Sequence, residues 1–366
     1  MTRKAVFTDI MAVLERRIAA GDYLLKALPG ERRLAEELGV SYMTARKAVT
    51  HLIQKEVLDR DENGCLIVRT RAGTQVEEQP TAVVLLVPAF PSPHLLACRS
   101  MIAKCVSERG GLFRAVEYVH WYDPVVREAL DGNSGLIVIP NTEPIPSRLL
   151  RDFAVPERQV VFFDTDLTEA GLPCIELFPD RHIEKLLRLL ASAGRTRIDC
   201  LNSQGHNHEI LRRIELWRTF CRTAGISGTL WDAPAPAYGD PLGGGYRLMR
   251  SLLDRDGRPE VMLCTTQPAA LGAIRACCDA GLVVGADISI ATMNNEPTGW
   301  YFCPSLTGLE MPEVTDLIAR CLDWFAKPRT PWSGPLRLEP RRARLLKGES
   351  TGSAGVARSR VGRTVR

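Results

Sequence analysis

The sequence has no long apolar run and no signal-peptide pattern. No stretch reaches the roughly 18 to 20 consecutive apolar residues of a membrane span, and the N-terminal stretch MTRKAVFTDIM has no continuous apolar core. We therefore expect a cytoplasmic protein without a membrane partner. The 366 residues, 45% of them apolar, are enough for two or three globular domains.

Cysteine pairs and nucleotide-binding loops are also missing. The 11 cysteines are scattered without a CxxC pair, which favours reduced thiols over a disulfide framework. No Walker loop or nucleophile elbow follows an apolar run, and we interpret Gly243-Gly244-Gly245 as a flexible turn. His206-Asn207-His208 offers two imidazoles, but no cysteine or carboxylate completes a ligand set, so a polar loop is expected there. We predict no catalytic residue, no cofactor and no metal.

Charge is nearly balanced overall, with a formal net charge of +4, but it is unevenly distributed. Residues 1–72 hold 13 Lys and Arg against 10 Asp and Glu, and residues 337–366 hold 9 against 2. The residues between them hold 25 against 31. Basic charge at both ends of a mildly acidic chain fits a nucleic-acid-binding domain, the head, at the N-terminus. The excess of basic over acidic residues in 1–72 is small, however.

The stretch 28–68 has the pattern of a winged helix-turn-helix. Three apolar residues fall on one face of a first short helix: Leu34, Ala35 and Leu38. Gly39 follows where a left-handed C-cap is needed, and Ser41 can cap a second, longer helix. Upstream, Gly21 ends an amphipathic helix whose apolar residues are Phe7, Ile10, Val13, Leu14 and Ile18.

The second helix separates an apolar face from a polar, cationic one. Its apolar residues recur at helical spacing: Ala45, Ala48, Val49, Leu52 and Ile53. Thr44, Arg46 and Lys47 must therefore point away from the core, as a helix that enters a major groove requires. An ordinary helical hairpin with a solvated charged face is the alternative.

A strand-like hairpin follows the second helix. Asn63-Gly64 favours a tight type I′ turn that joins Val57-Leu58 to Leu66-Ile67-Val68 as the wing. The C-cap glycine, the helix cap, the helical periodicity and the hairpin thus follow one another in the order that a winged helix-turn-helix requires.

The head resembles the GntR family of bacterial transcription regulators from about Thr8 to Val68. The resemblance rests on Leu28-Pro29-Gly30-Glu31-Arg32, on the run from Leu34 to Ser41, on Thr44-Ala45-Arg46-Lys47-Ala48 and on Gly64. It implies that the partner is double-stranded operator DNA.

The resemblance also implies roles for single residues. Arg32 matches a phosphate contact, Ser41, Thr44 and Arg46 match recognition-helix contacts, and Gly64 matches a wing glycine that enters the minor groove. Two features depart from the family. Tyr42 stands where arginine is common, and the wing carries Asp59, Asp61 and Glu62 where basic residues are frequent, which should lower affinity. The predicted DNA-binding residues are Arg32, Ser41, Tyr42, Thr44, Arg46, Lys47 and Gly64.

From Ala82 onward, apolar runs of strand length alternate with helical segments. AVVLLVP, GLIVIP, QVVFFD, RIDCL, EVMLC and DISIAT are typical of buried parallel strands. The segments between them predict crossover helices, and the whole is an α/β, doubly wound body. Ligands of such sheets lie beyond the carboxyl ends of the strands. We expect a head at 1–70, a linker at 71–80, the body at 81–351 and a disordered basic tail at 352–366.

The body resembles the effector-binding domain of the LacI/GalR regulators, a periplasmic-binding-protein-like fold. The resemblance covers about residues 81–351. It rests on ordered motifs: Val83 to Pro88, Gly135 to Pro140, Ala270 to Ala273, Asp287 to Ile290, Pro304 to Thr307 and Leu345 to Thr351. A GntR head on such a body is similar to the arabinose-repressor subgroup. The resemblance implies a sugar or sugar derivative as effector.

The same resemblance points to effector-binding positions after the strands. His94 stands in Ser92-Pro93-His94-Leu95, where the family has an aromatic residue that packs on sugar. Arg213 matches an arginine that reaches ligand hydroxyls or a carboxylate, and Gln267 and Asn294 replace two sugar-binding aspartates. Both amides keep hydrogen-bonding capacity without charge. Phe90 completes the predicted set. For the other four residues, a polar rim that touches only water is the alternative.

The mechanism implied is two-state closure. Two lobes, 81–163 with 293–327 and 164–292, would close on a small polar molecule and change how a homodimer spaces two heads on a palindromic operator. The expected function is that of a repressor controlled by its effector. A DNA-binding regulator whose pocket has lost its ligand and a plain solute-binding protein are the alternatives.

Overall fold

The computed structural model describes residues 3–19, 21–23, 28–61, 64–68, 81–132, 135–192, 194–255 and 258–352. The predicted linker at 71–80 and, apart from Gly352, the predicted tail lie outside these residues, so both stay predictions.

Three helices and an antiparallel hairpin form the N-terminal domain. They are α1 (Arg3–Ala19), α2 (Glu31–Glu37), α3 (Tyr42–Gln54), β1 (Leu58–Arg60) and β2 (Leu66–Val68). Leu14, Leu34 and Leu52 meet in their shared core and are almost fully buried. The winged helix-turn-helix is therefore confirmed, with the helices in the predicted order.

The type I′ turn predicted at Asn63-Gly64 is wrong. The Gly64 amide donates to the Asp61 carbonyl (2.9 Å), so Gly64 closes a turn begun at Asp61 instead of standing at its centre. Gly64 has a φ of 77°, and the Asp61 amide donates to the Cys65 carbonyl (3.0 Å). A left-handed glycine at this place forms the bulge of a longer hairpin loop. Asn63 itself lies outside the described residues.

The body alternates strands with helices. Its first part contains β3 (Ala82–Pro88), α4 (Pro93–Glu108), β4 (Leu112–Tyr118), α5 (Pro124–Asp131), β5 (Gly135–Val138), α6 (Ser147–Phe153), β6 (Val160–Phe163) and β7 (Cys174–Ile175). Its second part contains α7 (Asp180–Ala191), β8 (Ile198–Asn202), α8 (His208–Ala224), β9 (Leu230–Asp232), α9 (Pro241–Leu253), β10 (Val261–Cys264), α10 (Gln267–Asp279), β11 (Ser289–Asn295) and β12 (Thr307–Glu310). The last elements are α11 (Thr315–Phe325), β13 (Arg337–Leu338) and β14 (Leu345–Leu346).

These strands form two six-stranded sheets, one in each lobe. The first lobe has the order β13-β7-β6-β5-β3-β4, all parallel. The second has the order β14-β12-β11-β10-β8-β9, in which only β14 is antiparallel to its neighbour. The central strands β5, β6 and β10 are buried at every position, because helices cover both faces of a parallel sheet. The predicted doubly wound, bilobed body is confirmed.

The predicted boundary between the lobes is partly wrong. β7 lies in the first sheet, although 164–292 was expected in the second lobe, and β11 and β12 lie in the second sheet, although 293–327 was expected in the first. The chain crosses between the sheets after β7, after β12 and again after β13. Three segments of the chain therefore connect the two lobes.

Gly243-Gly244-Gly245 is not a flexible turn, as the sequence led us to expect, but lies inside α9. A Cβ on Gly245 would lie 2.5 Å from the Ala269 carbonyl oxygen, and a Cβ on Gly272 would lie 2.1 Å from the Leu242 carbonyl oxygen. Glycine at these positions lets α9 and α10 pack backbone against backbone, which offsets its weak helix propensity.

Candidate functional site

Ser41 caps the helix that carries most of the predicted DNA contacts. Its Oγ accepts a hydrogen bond from the Thr44 amide (3.2 Å), and the two hydroxyl oxygens lie 2.8 Å apart. The turn before the cap is made by Gly39, which has a φ of 64°. The first turn of α3 is therefore ordered before any ligand arrives.

The side chains predicted to contact DNA reach the surface of the head. α3 buries Ala45, Ala48, Val49 and Leu52 and turns its opposite face to solvent. That face carries Arg46 and Lys47, both exposed, and Tyr42 lies at its N-terminal end with 41% exposure. Arg32 is exposed on α2, and Gly64 is exposed in the wing. The contacts themselves stay predictions.

Arg60 joins the wing to α2, a role that sequence reasoning missed. Its Nη1 donates to the Gly64 carbonyl (2.9 Å), and its Nη2 pairs with the Glu31 carboxylate. Burial opposes ionisation of Glu31, but hydrogen bonds from its own amide and from Arg60 lower its pKa below the ordinary value. Wing and α2 are thus held together by a charged hydrogen bond beside Arg46.

In the body, polar side chains from both lobes meet where the strands end. His94 lies in the first turn of α4, Asp164 follows β6, Arg213 lies on α8, Asn294 lies near the end of β11 and Glu296 follows it. We call these five residues the cleft cluster. Their position beyond the carboxyl ends of parallel strands is the position that the sequence predicted for a ligand site.

His94 connects the two carboxylates of the cleft cluster. Its Nε2 lies 2.6 Å from Asp164 Oδ2, and its Nδ1 lies 4.0 Å from Glu296 Oε1. Burial of the ring opposes protonation, but the Cys98 sulfur and the Asp164 carboxylate raise its pKa well above the ordinary value. Asp164 has a φ of 58°, a strained conformation for a residue with a side chain. The contact with Asp164 thus favours the protonated form of the His94 ring.

Arg213 is the other cation of the cleft cluster and is 4% exposed. Its Nη1 donates to the Thr265 carbonyl (2.9 Å) and to Asn294 Oδ1 (3.2 Å), and its guanidinium lies 5.4 Å from the centre of the Phe178 ring. Burial lowers its pKa, and the negative charge of Asp164 opposes that change. A guanidinium remains charged in such surroundings and needs anionic partners nearby.

Asn294 and Glu296 are joined by a hydrogen bond within the cleft cluster. Asn294 Nδ2 donates to Glu296 Oε1 (3.0 Å), so the amide lies between the arginine and the carboxylate. Burial raises the pKa of Glu296, and the charges of His94 and Arg213 partly offset this. The amide that replaces an expected aspartate thus donates to a carboxylate, which an aspartate could not do when ionised.

Some polar atoms of this region have no hydrogen-bond partner within the described part of the chain. They are His94 Nδ1, Arg213 Nε, Glu296 Oε2 and the hydroxyl of Thr266, all buried. Because buried polar atoms are nearly always satisfied in a folded protein, each of them needs an explanation. They offer a ligand two nitrogen atoms from basic side chains, one carboxylate oxygen and one hydroxyl.

Gln267 and Phe90, also predicted effector residues, already have partners. Gln267 Nε2 donates to Asn295 Oδ1 (2.8 Å), and its Oε1 accepts from Thr298 (3.5 Å). Phe90 lies against Tyr238, with ring centroids 6.2 Å apart. Their roles toward an effector stay predictions.

Tyr238 bridges the two lobes at the edge of the cleft. It follows β9 in the second lobe, has a φ of 60°, and its hydroxyl donates to the Val119 carbonyl of the first lobe. On the same side, a Cβ on Gly205 of the second lobe would lie 3.5 Å from the Thr142 side chain of the first. The lobes are therefore in contact in this structure.

The histidines predicted in a polar loop pair with carboxylates. His206 Nε2 lies 2.9 Å from Asp232 Oδ2, and His208 Nδ1 lies 3.4 Å from Glu209. Asn207 caps α8 by accepting from the Ile210 amide (2.9 Å). Within the described ranges, no group of three or more His, Cys, Asp or Glu side chains is arranged to hold a metal. No helix in those ranges is long and apolar enough to span a membrane.

Sequence reasoning missed Asp164, Glu296 and Thr266. Asp164 directly follows the apolar run Val160–Phe163, and Thr266 follows Val261–Cys264 by two residues. The rule that ligands lie beyond strand ends could have found both. The same rule applies to Glu296, because it directly follows β11.

Fold and cleft together define a two-module protein, a winged helix-turn-helix joined to a bilobed binding domain. Residues 8–76 match the family described as bacterial regulatory proteins, gntR family. Residues 187–331 match the periplasmic binding protein-like domain. The chain therefore joins a segment that matches the gntR family to a segment that matches the periplasmic binding protein-like domain.

Curated relatives match short segments. The HTH-type transcriptional repressor PurR of Proteus mirabilis (strain HI4320) is 39% identical over 69 residues, 19% of this chain and 20% of that protein. The HTH-type transcriptional regulator AglR of Rhizobium meliloti (strain 1021) is 38% identical over 104 residues, 28% of each. The chain thus spans about a fifth of the length of the PurR relative that it matches.

Solved structures match most of the chain. The transcription regulator CcpA of Lactococcus lactis has a TM-score of 0.60 and 17% identity, over 75% of this chain and 100% of that one. A LacI family regulator from Arthrobacter sp. FB24, solved in complex with lactose, has a TM-score of 0.58 and 17% identity, over 74% and 99%. At these identities the likeness shows the fold.

Proposed function

We propose that the chain is a transcriptional repressor whose binding to operator DNA is controlled by a small polar effector held in the cleft. The GntR-family head supports the DNA-binding part. The observation that carries the control part is the cleft cluster, in which buried polar atoms of Arg213, Glu296 and His94 have no partner among the described residues. A ligand rich in hydroxyl groups would satisfy them.

The charges of the cleft cluster favour an uncharged effector. Arg213 and His94, the basic side chains of the cleft cluster, lie close to its two acidic side chains, Asp164 and Glu296, so each sign of charge has a partner within the site. A phosphorylated or cationic ligand would bring an additional buried charge without a counter-ion, which is costly. A sugar or sugar derivative without a charged group fits this balance, and the Arthrobacter neighbour was solved with lactose.

Control of DNA binding requires that cleft closure alter the geometry of the head. In a homodimer on a palindromic operator, the spacing of the two recognition helices must match the spacing of the half-sites. A change in that spacing on closure would therefore change the affinity for the operator. In this account the cleft binds the effector, and α3 binds the operator. The protein acts in the cytoplasm and performs no chemical step on its effector.

The test uses the full chain in two stages. An operator is first selected from a pool of random double-stranded DNA, and binding is measured by fluorescence anisotropy as a function of salt. Thermal unfolding is then followed with monosaccharides, disaccharides and other small polar metabolites. A specific ligand at 100 times its Kd should raise the Tm by about 5 to 10 °C.

Thr266→Val is the matched variant for this screen. The Thr266 hydroxyl is buried without a partner among the described residues, so its loss should leave or slightly raise stability. The same loss should weaken effector binding about three- to tenfold if the hydroxyl contacts the ligand. No selected DNA sequence would contradict the DNA-binding part. No Tm shift with any compound would instead favour a DNA-binding regulator whose cleft is held closed by its own side chains.

A further inference from the structure

An apolar side chain lies on the exposed face of the recognition helix. Met43, in the first turn of α3, is 59% exposed, one of the more exposed large apolar side chains of the described chain. The head core packs Val49 and Leu52 of the same helix but does not include Met43. Single exposed apolar side chains are common on protein surfaces, so the position of Met43 within the recognition helix, and not its exposure alone, makes it of interest.

Helix geometry places Met43 beside the basic residues. Met43, Arg46 and Lys47 stand at i, i+3 and i+4, which lie on one face of a helix. Arg46 and Lys47 are exposed, and Ala45 and Ala48 of the opposite face are buried. The face that the cations present to DNA therefore also presents a thioether and its methyl group.

The major groove contains one apolar group, the C5-methyl of thymine. Arginine and lysine cannot distinguish it, since they recognise phosphates and the acceptors of guanine. Methionine is long, unbranched and adaptable, and its terminal methyl makes favourable apolar contacts without a fixed shape. Tyr42, adjacent to Met43 and 41% exposed, adds no cation to the first turn, where it replaces an expected arginine.

We propose that Met43 is a specificity-determining residue that reads a thymine methyl group in each operator half-site. This inference rests on the proposed DNA-binding function and adds a base preference to it. Arg46 and Lys47 hold the helix in the groove, and Met43 contributes discrimination between thymine and cytosine at one position.

The test removes single methyl groups from the DNA. In the operator selected from random DNA, each thymine is replaced in turn by deoxyuridine, which keeps base pairing and lacks only the methyl group. At one position per half-site, the substitution should weaken binding by the native chain about fourfold, the effect of one buried methyl group. Met43→Ala, which removes the contact from both half-sites, should bind the unmodified operator about fifteenfold more weakly and be insensitive to deoxyuridine at that position.

Lys47→Ala is the matched control. It should weaken binding to all sequences and reduce the salt dependence, while the sensitivity to deoxyuridine persists. Circular dichroism and thermal unfolding show that each variant is folded. If the native chain binds no DNA sequence selectively, the proposed function fails. If it binds an operator and no deoxyuridine substitution weakens binding, or Met43→Ala keeps the native sensitivity, only this inference is wrong. A change in oligomeric state on Met43→Ala with unaltered sensitivity would assign the side chain to a protein contact and also overturn it.

Discussion

The Nε2 atom of His94 lies 2.6 Å from Oδ2 of Asp164, and this pair joins the first turn of α4 to the loop after β6 at the floor of the cleft. Glu296, which follows β11 of the second sheet, lies on the other side of the same imidazole, 4.0 Å from Nδ1. One histidine thus faces carboxylates contributed by both lobes. Its protonation is therefore coupled to the contact between the lobes.

The stability of the body should depend on His94 through pH. The pKa of His94 is raised in the folded chain, so the folded state binds its proton more tightly than the unfolded state, whose value is about 6.5. The contribution is fully present below pH of about 6.5 and is lost as pH rises through the raised pKa. Thermal unfolding from pH 5.5 to 9 should show the native chain losing stability relative to His94→Gln. Parallel curves for the two chains would contradict the assignment.

Asn294 should not tolerate the aspartate that the family resemblance suggests. Its Nδ2 donates to Glu296 Oε1 at 3.0 Å, so Asn294→Asp would place two carboxylates in contact. One of them must then hold a proton, and we expect a loss of about 1 to 3 kcal/mol in unfolding free energy at pH 8.

The pH dependence identifies the cause of that loss. Two adjacent carboxyls have a raised pKa in the folded chain, so the destabilisation should diminish as pH falls toward 5. Asn294→Ala removes the hydrogen bond to Glu296, and also the one from Arg213, without adding charge, and its loss should be similar at both pH values. Urea unfolding of the three chains measures this, and an equal loss for Asn294→Asp at pH 5 and pH 8 would be evidence against the carboxylate contact.

Tyr238 should stabilise the closed arrangement of the lobes. Its hydroxyl donates to the Val119 carbonyl across the cleft, and its ring lies against Phe90. Tyr238→Phe keeps the ring and removes the hydrogen bond, worth about 0.5 to 1.5 kcal/mol. Effector affinity should fall about two- to tenfold, because closure then costs more. Small-angle X-ray scattering of the ligand-free chain should show a larger radius of gyration; an unchanged radius and affinity would show that the contact does not hold the lobes together.

Arg46→Ala should reduce operator binding at least tenfold while leaving the body folded and ligand-competent, since a charged contact in the groove is lost. Lys104→Ala is the control for charge, because Lys104 is exposed on α4 of the body and its removal changes net charge equally. Anisotropy measures the DNA affinity of both variants. Native affinity in Arg46→Ala would mean that α3 is not the recognition helix.

Long, regular patterns in the sequence predicted most of the fold. The strands β3, β5, β6 and β10 are continuous apolar runs, and α7 and α8 have helical periodicity, so tertiary packing reinforced the local signal. The strands β7, β13 and β14 contain two residues each, too few to show a period. These short strands lie beside the crossings between lobes and account for part of the misplaced boundary, although β11 and β12 are longer and were also expected in the wrong lobe.

The glycines of α9 and the cleft cluster show two other limits of prediction from the sequence. Gly245 has low helix propensity, and only the approach of Ala269 in α10 explains a helix there, a contact that no local pattern reveals. Arg213 was found through resemblance. Asp164 and Glu296 were missed because resemblance drew the search to positions where the family has ligands, such as Gln267 and Asn294, whereas the carboxylates of the cleft cluster stand at other positions.

The most direct test of regulated DNA binding is the affinity of the full chain for its selected operator, measured by anisotropy with and without the effector found in the thermal screen. The native chain should show at least a fivefold change in Kd at saturating effector, the lower end of ordinary coupling between sites. Thr266→Val should require more effector for the same change. An identical operator Kd with and without bound effector would contradict the account, because the cleft would then have no connection to the head.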